Sequence, residues 1–178
     1  MHERMIIAGF GGQGVIMAGK LLCIAAMNEN KYVSHIPSYG AEMRGGTANC
    51  SVVISDKEIG SPTVPKPTIA VVMNTPSLTK FEPMVKPGGL LIYNSSLIDQ
   101  KPKRTDITVV DVKANDISEA EGSTRAANMA AIGKVLALKP EIASLESVIK
   151  ALDVAISARN RKHNDINIKV LKAAFAQK

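Results

Sequence analysis

Short apolar runs and longer mixed segments alternate along the chain in the order strand, helix, strand. Residues 5–8 are apolar on both faces, the pattern of a buried parallel strand. Residues 15–27 follow as a helix whose only charge is Lys20. Residues 31–36 predict a second strand, and residues 47–55 a third that alternates in its first half. Asp56-Lys57 reads as a turn and the proline-containing 60–67 as a surface connection. Residues 68–73 predict another buried strand, ended by Asn74-Thr75-Pro76, where Pro76 suits the first turn of a short helix. Lys86-Pro87-Gly88-Gly89 is a turn leading into a strand at 90–93, and 107–112 predicts a further strand.

The last third reads as helical. Ser123 or Thr124 can cap a helix ending near Leu138, in which only Asn128 and Lys134 are polar. Leu145, Val148, Ile149, Leu152 and Ile156 form an amphipathic stripe. Residues 159–163 are a basic connection, and Asn164 or Asp165 can cap a last helix ending near Ala176. Together these elements predict an α/β fold: one domain over residues 1–178, three α/β/α layers on a mostly parallel, Rossmann-like sheet, with a helical tail from about residue 124. A helix apolar all round must be covered on every side. For residues 15–27 two covers stay open, the chain's own C-terminal helices or another subunit.

Between the first strand and its helix lies Gly9-Phe10-Gly11-Gly12-Gln13-Gly14, with Gly9, Gly11 and Gly14 in G-x-G-x-x-G spacing. Glycines at a strand-to-helix turn let backbone N–H groups approach an anion at the positive end of the helix. A dinucleotide site also needs an acidic residue near the end of the second strand, but that strand runs into His35-Ile36-Pro37-Ser38, and Glu29 falls before it. Gly14-x-x-x-x-Gly19-Lys20 imitates a triphosphate loop, yet Leu21 stands where a Mg²⁺-binding hydroxyl is required. A second glycine loop spans residues 38–46. There Arg44 offers a guanidinium for phosphate or carboxylate beside Gly45 and Gly46, with Ser38 and Tyr39 as hydroxyl donors.

Composition narrows the classes. Aromatics are only 3 % and Trp is absent, so the core is aliphatic and base-stacking platforms are missing; with no long basic run, no nucleic-acid partner is expected. Lys and Arg number 22 against 16 Asp and Glu, a net charge of +6 that suits a phosphorylated ligand or an acidic partner. Cys23 and Cys50 lie in apolar segments and no C-x-x-C occurs, so neither an iron–sulfur cluster nor a metal site is expected on this chain. Cysteine usage and a first strand close to Met1 point to a reducing, cytoplasmic setting without a signal peptide, and no membrane span is expected. His2, His35 and His163 are scattered, and no nucleophile–base pair can be assembled. The chain therefore offers binding loops and no evident catalytic residues.

The two glycine loops in this order, with Asn128 and Gly133 in the late apolar helix, resemble the gamma subunit of 2-oxoacid:ferredoxin oxidoreductases along almost the whole chain. Ser38-Tyr39-Gly40-Ala41-Glu42-Met43-Arg44-Gly45-Gly46 resembles the 2-oxoglutarate and branched-chain types more than the pyruvate type. The resemblance implies a non-catalytic subunit of an enzyme that decarboxylates a 2-oxoacid, forms acyl-coenzyme A and reduces ferredoxin. It implies alpha, beta and ferredoxin-like delta partners that carry thiamine diphosphate, Mg²⁺ and iron–sulfur clusters. It also implies a gamma chain serving assembly and the coenzyme A side of the site, which would give the two helices without a polar face a partner to cover them. On this reading Gly9, Gly11, Gly12, Gln13 and Gly14 form one ligand loop and Ser38, Tyr39, Arg44, Gly45 and Gly46 the other, at the ends of neighbouring strands. Two rival readings are a free-standing dinucleotide-binding oxidoreductase and a structural adaptor whose glycines only permit close packing.

Overall fold

A computed structural model describes residues 1–39 and 47–177. The strands are β1 (His2–Phe10), β2 (Tyr32–Tyr39), β3 (Thr47–Ser55), β4 (Ile69–Val72), β5 (Leu90–Asn94) and β6 (Thr108–Val112). The helices are α1 (Val15–Asn28), α2 (Thr75–Phe81), α3 (Ala114–Ala120), α4 (Ala127–Leu138), α5 (Leu145–Ala155) and α6 (Asn164–Ala176), with short 3-10 turns at Glu82–Met84 and Ala158–His163. One six-stranded sheet has the order β2-β3-β1-β4-β5-β6. β1, β4, β5 and β6 pair in parallel, while β3 runs antiparallel to both β1 and β2. The sheet is thus α/β with a single reversed strand.

That strand corrects one expectation: β1 and β2 are not neighbours, because β3 lies between them. The physical reason is burial. Val52, Val53 and Ile54 of β3 are all fully buried, and they point alternately to both faces, which requires an interior position. β2 exposes Tyr32, Ile36, Pro37, Ser38 and Tyr39, so it takes the edge.

The larger core fills the space between one sheet face and α1, α3, α4, α5 and α6. The opposite face carries a smaller core from α2 and the connections bearing Val64, Val85 and Ile98. α1 packs on β1, β2 and β3, and its other side is covered by α5 and α4. α4 is buried from Asn128 to Leu136 among α3, α6 and the sheet. The chain's own helices therefore cover both apolar helices, and these need no second subunit to hide them. Close approach makes this possible. A Cβ on Gly133 would collide with the Leu171 carbonyl oxygen of α6 and sit 3.0 Å from the Ala174 Cβ. A Cβ on Gly19 would meet the Cys50 Sγ at 2.5 Å.

Several ends differ from expectation. α3 was not legible as a helix. Neither Ser123 nor Thr124 caps α4, whose N-cap position is held by Ala126 with no side-chain cap; the Ser123 hydroxyl instead accepts the Arg125 N–H at 3.2 Å. Neither Asn164 nor Asp165 caps α6, because the Asn164 amide donates to Asp153 at 2.8 Å and His163 holds the cap position. α2 and α5 do carry side-chain caps, with Asn74 accepting the Ser77 N–H at 2.9 Å and Ser144 the Ser147 N–H at 3.1 Å.

Glu29 closes the far end of α1. Its carboxylate accepts the Ser144 N–H at 2.7 Å and pairs with Lys31 at 2.9 Å, while the Lys31 ammonium donates to the Glu141 and Ile142 carbonyls. Burial alone would raise the carboxyl pKa. The bonds from Ser144, Ser147 and Lys31 outweigh it and hold the group at about 2.

Two outcomes follow from this packing. Gly133→Ala should lower stability by about 1–3 kcal/mol in urea titration, because the obstacle is α6 backbone. Glu29 has a folded-state pKa below its ordinary 4.5, so its contribution is complete above pH 4.5 and is lost as pH falls toward 2. Glu29→Gln should therefore cost roughly 1 kcal/mol at neutral pH, discounted for partial exposure, and flatten the acid limb of the stability curve.

Candidate functional site

β1 delivers the Gly9–Gly14 turn to the C-terminal edge of the parallel strands. Gln13 folds back across it: its Oε1 accepts the Phe10 N–H at 2.7 Å and its Nε2 donates to the Met73 carbonyl at 3.2 Å. Asn74 also donates to the Gln13 Oε1 at 3.5 Å. The same Met73 carbonyl accepts from Asn94, whose side chain bonds Asn115 at 2.9 Å and the Ala114 N–H at 3.1 Å. Buried amides thus link the ends of β1, β4 and β5 to α3. Gly9 must be small here, since a Cβ would lie 2.5 Å from the Gln13 Oε1.

The other half of the turn faces elsewhere. Gly12 (φ +101°) has open space where a side chain would be, and Gly14 (φ +70°) starts α1 in the left-handed region. The Asn128 Nδ2 donates to the Gly14 carbonyl at 3.2 Å. Gly12, Gly14 and Met17 form one wall of a cleft of about 550 Å³. Residues 122–125 and Asn128 form a second wall; residues 155–157, Asn160, His163, Ile166 and Asn167 complete it. The volume lies in the range of small-molecule sites. The first turns of α1, α4 and α6 all border this cleft, and none has a side-chain cap. Their N–H groups and dipoles favour an anion. Arg125 and His163 are the basic side chains in the lining, and Met17, Ile156 and Ile166 supply apolar surface. The lining suits recognition of an anion on a partly apolar molecule.

The expected loop residues therefore separate. Gly12 and Gly14 line the cleft, Gly9 and Gln13 turn toward β4, and Gly11 is exposed at the tip. Ser38 and Tyr39 lie on the same sheet edge but outside the cleft lining. Gly9 and Tyr39 both stand opposite Ala48 of the intervening strand, on the order of 10 Å apart. Arg44, Gly45 and Gly46 lie outside the described residues. Sequence reasoning missed Arg125, Asn160, His163 and Asn167 as cleft residues. The polar run Gly122-Ser123-Thr124-Arg125 before an apolar helix was the available signal, but it read as a cap.

The two thiols are free and buried. Burial pushes the Cys23 thiol up to about 12, with the neighbouring Cys50 adding to it, and burial does the same to Cys50 against bonds from Gly19 and Ile7. Among the described residues, no group of His, Cys, Asp and Glu side chains is placed to hold a metal ion. No helix among them is long and apolar enough to cross a membrane.

Comparison with known proteins agrees with this architecture. The chain is 41 % identical over 170 residues to the ketoisovalerate oxidoreductase subunit VorA of Methanothermobacter marburgensis, covering 96 % of this chain and 35 % of that subunit. It therefore spans about a third of the length of the ketoisovalerate subunits it matches. It is 35 % identical over 155 residues to the 2-oxoglutarate synthase subunit KorC of Methanocaldococcus jannaschii, covering 85 % of this chain and 82 % of that one. The keto/oxoacid ferredoxin oxidoreductase gamma subunit of Geobacter sulfurreducens superposes with a TM-score of 0.82 at 25 % identity, over 97 % of this chain and 96 % of that one. The 2-oxoglutarate:ferredoxin oxidoreductase of Magnetococcus marinus shares the fold, with a TM-score of 0.88 at 19 % identity over 98 % of this chain and 30 % of that one. Residues 4–177 match the pyruvate ferredoxin/flavodoxin oxidoreductase family, and the chain belongs to it.

Proposed function

We propose that this chain is the gamma component of a 2-oxoacid:ferredoxin oxidoreductase and that it supplies the coenzyme A side of the site. The enzyme would convert a 2-oxoacid and coenzyme A to acyl-coenzyme A and CO₂, passing electrons to ferredoxin. The names of the relatives support a 2-oxoglutarate or branched-chain substrate. Alpha, beta and ferredoxin-like delta components would hold thiamine diphosphate, Mg²⁺ and the iron–sulfur clusters, and this chain would bring none of them.

The observation that carries the reading is the cleft at the α1 N-terminus, where Gly12, Gly14 and Arg125 line one partly apolar space. Coenzyme A combines phosphates with an apolar, amide-bearing arm, and the residues present fit that combination. Backbone N–H groups and the Arg125 guanidinium would take phosphate, and Asn128, Asn160 and Asn167 would take amide or ribose groups. The chain's part would be to orient the thiol-bearing arm toward the partners that carry the chemistry. Ser38, Tyr39, Arg44, Gly45 and Gly46 would extend the same binding edge. A structural role for part of the turn is also supported, because Gln13 is engaged by Phe10, Met73 and Asn74.

In the assembled enzyme, Arg125→Ala should raise the KM for coenzyme A about tenfold while leaving kcat nearly unchanged, the signature of lost ground-state binding. Arg44→Ala should also weaken coenzyme A use, read as the same kinetic split. An unchanged KM for coenzyme A in both variants would remove this chain from the coenzyme A site and leave assembly as its role.

A further inference from the structure

β2 is the outermost strand of the sheet, and among the described residues nothing pairs with its free side. Open edges are commonly blunted by charge, shortness or proline. The opposite edge, β6, is five residues long and carries Asp111. β2 is eight residues long, Tyr-Val-Ser-His-Ile-Pro-Ser-Tyr, with no Asp, Glu, Lys or Arg. Burial beside α1, with the Lys20 charge adding to it, holds the His35 imidazole below its ordinary pKa of 6.5, so the strand is uncharged at pH 7. Pro37 withdraws one donor and is the strand's only blunting device. Ile36 is 41 % exposed, Tyr32 48 % and Tyr39 71 %.

We infer that β2 pairs antiparallel with β2 of a second copy of this chain, about a two-fold axis at Ile36. A chain of net charge +6 resists self-contact through most of its surface, and an uncharged edge is where like copies meet without repulsion. Side chains alternate between faces, so the axis must pass through a residue for like faces to meet. At Ile36 the sequence is self-complementary. Ile36 stands opposite Ile36 and Ser34 opposite Ser38 on one face, with Val33 opposite Tyr39 and His35 opposite Pro37 on the other. Ile36–Ile36, Ser34–Ser38 and Val33–Tyr39 are apolar and hydroxyl cross-strand pairs of the stabilising kind, while the His35–Pro37 pair receives no N–H from the proline. An axis at His35 would instead set Ser34 against Ile36 and Ser38 against Tyr32, mixing polar with apolar. The pairing engages Ser38 and Tyr39, which the proposed function also sets on its binding edge, but its test reads oligomeric state and does not depend on coenzyme A use.

Sedimentation equilibrium of the full chain tests it, with circular dichroism confirming that each variant is folded. Wild type should form a concentration-dependent dimer, and Ile36→Lys should weaken it at least about tenfold by placing like charges at the axis. Under mild oxidation Ile36→Cys should form a covalent dimer, whereas Tyr32→Cys, distant from the axis, should not. A monomer at every concentration overturns the inference, as does a dimer indifferent to Ile36→Lys or one cross-linked through Tyr32→Cys instead. Recovery of β2 paired only with a different subunit, the isolated chain being monomeric, overturns it equally.

Discussion

The junction between Gly14 and Asn128 is the contact on which the rest of the arrangement depends. The Gly14 carbonyl accepts both the Ala18 N–H at 2.9 Å, which opens α1, and the Asn128 amide at 3.2 Å, which fixes the start of α4. Gly14 lies at φ +70°, and any Cβ there would come within 2.5 Å of the Asn128 Nδ2. A single peptide without a side chain therefore ties the first strand–helix turn to the last third of the chain. Because Asn128 is buried, losing this bond would leave a polar group without a partner in the core.

That tie explains how an aliphatic chain with 3 % aromatics can hold an open polar cleft beside a dry core. α1 is enclosed by the sheet on one side and α5 and α4 on the other, and its far end is held by Glu29 and Lys31 against residues 141–144. The helix is anchored at both ends, and only its first turn meets the cleft. Polar contacts thus concentrate at the two ends of the sheet, with methyl and methylene groups between them.

Much of this was legible in the sequence, and the failures share a cause. The Gly9–Gly14 turn, β3 with its bounds, Pro76 in the first turn of α2 and the succession of strands and helices apart from α3 all follow from local patterns. The insertion of β3 between β1 and β2 did not, because strand order depends on which strand can bury both faces. Ser123 and Asn164 have the chemistry of caps, yet tertiary bonds to Arg125 and Asp153 claim them. The cleft was half visible: its glycines announce themselves, whereas Arg125, Asn160 and Asn167 belong to it only through the packing of α4 on α1 and of α6 on α4. The apolar faces of α1 and α4 looked like partner surfaces because a single helix pattern does not say which neighbour covers it.

The cleft walls come from residues 12–17 and from residues 122–167, with the sheet made in between. During synthesis the glycine turn leaves the ribosome long before the segments that enclose it. α1 is nearly all apolar and would wait, exposed, for α5 to cover it. The chain order therefore separates the making of α1 from its shielding: its outer side is closed only by helices that begin at Ala127 and Leu145.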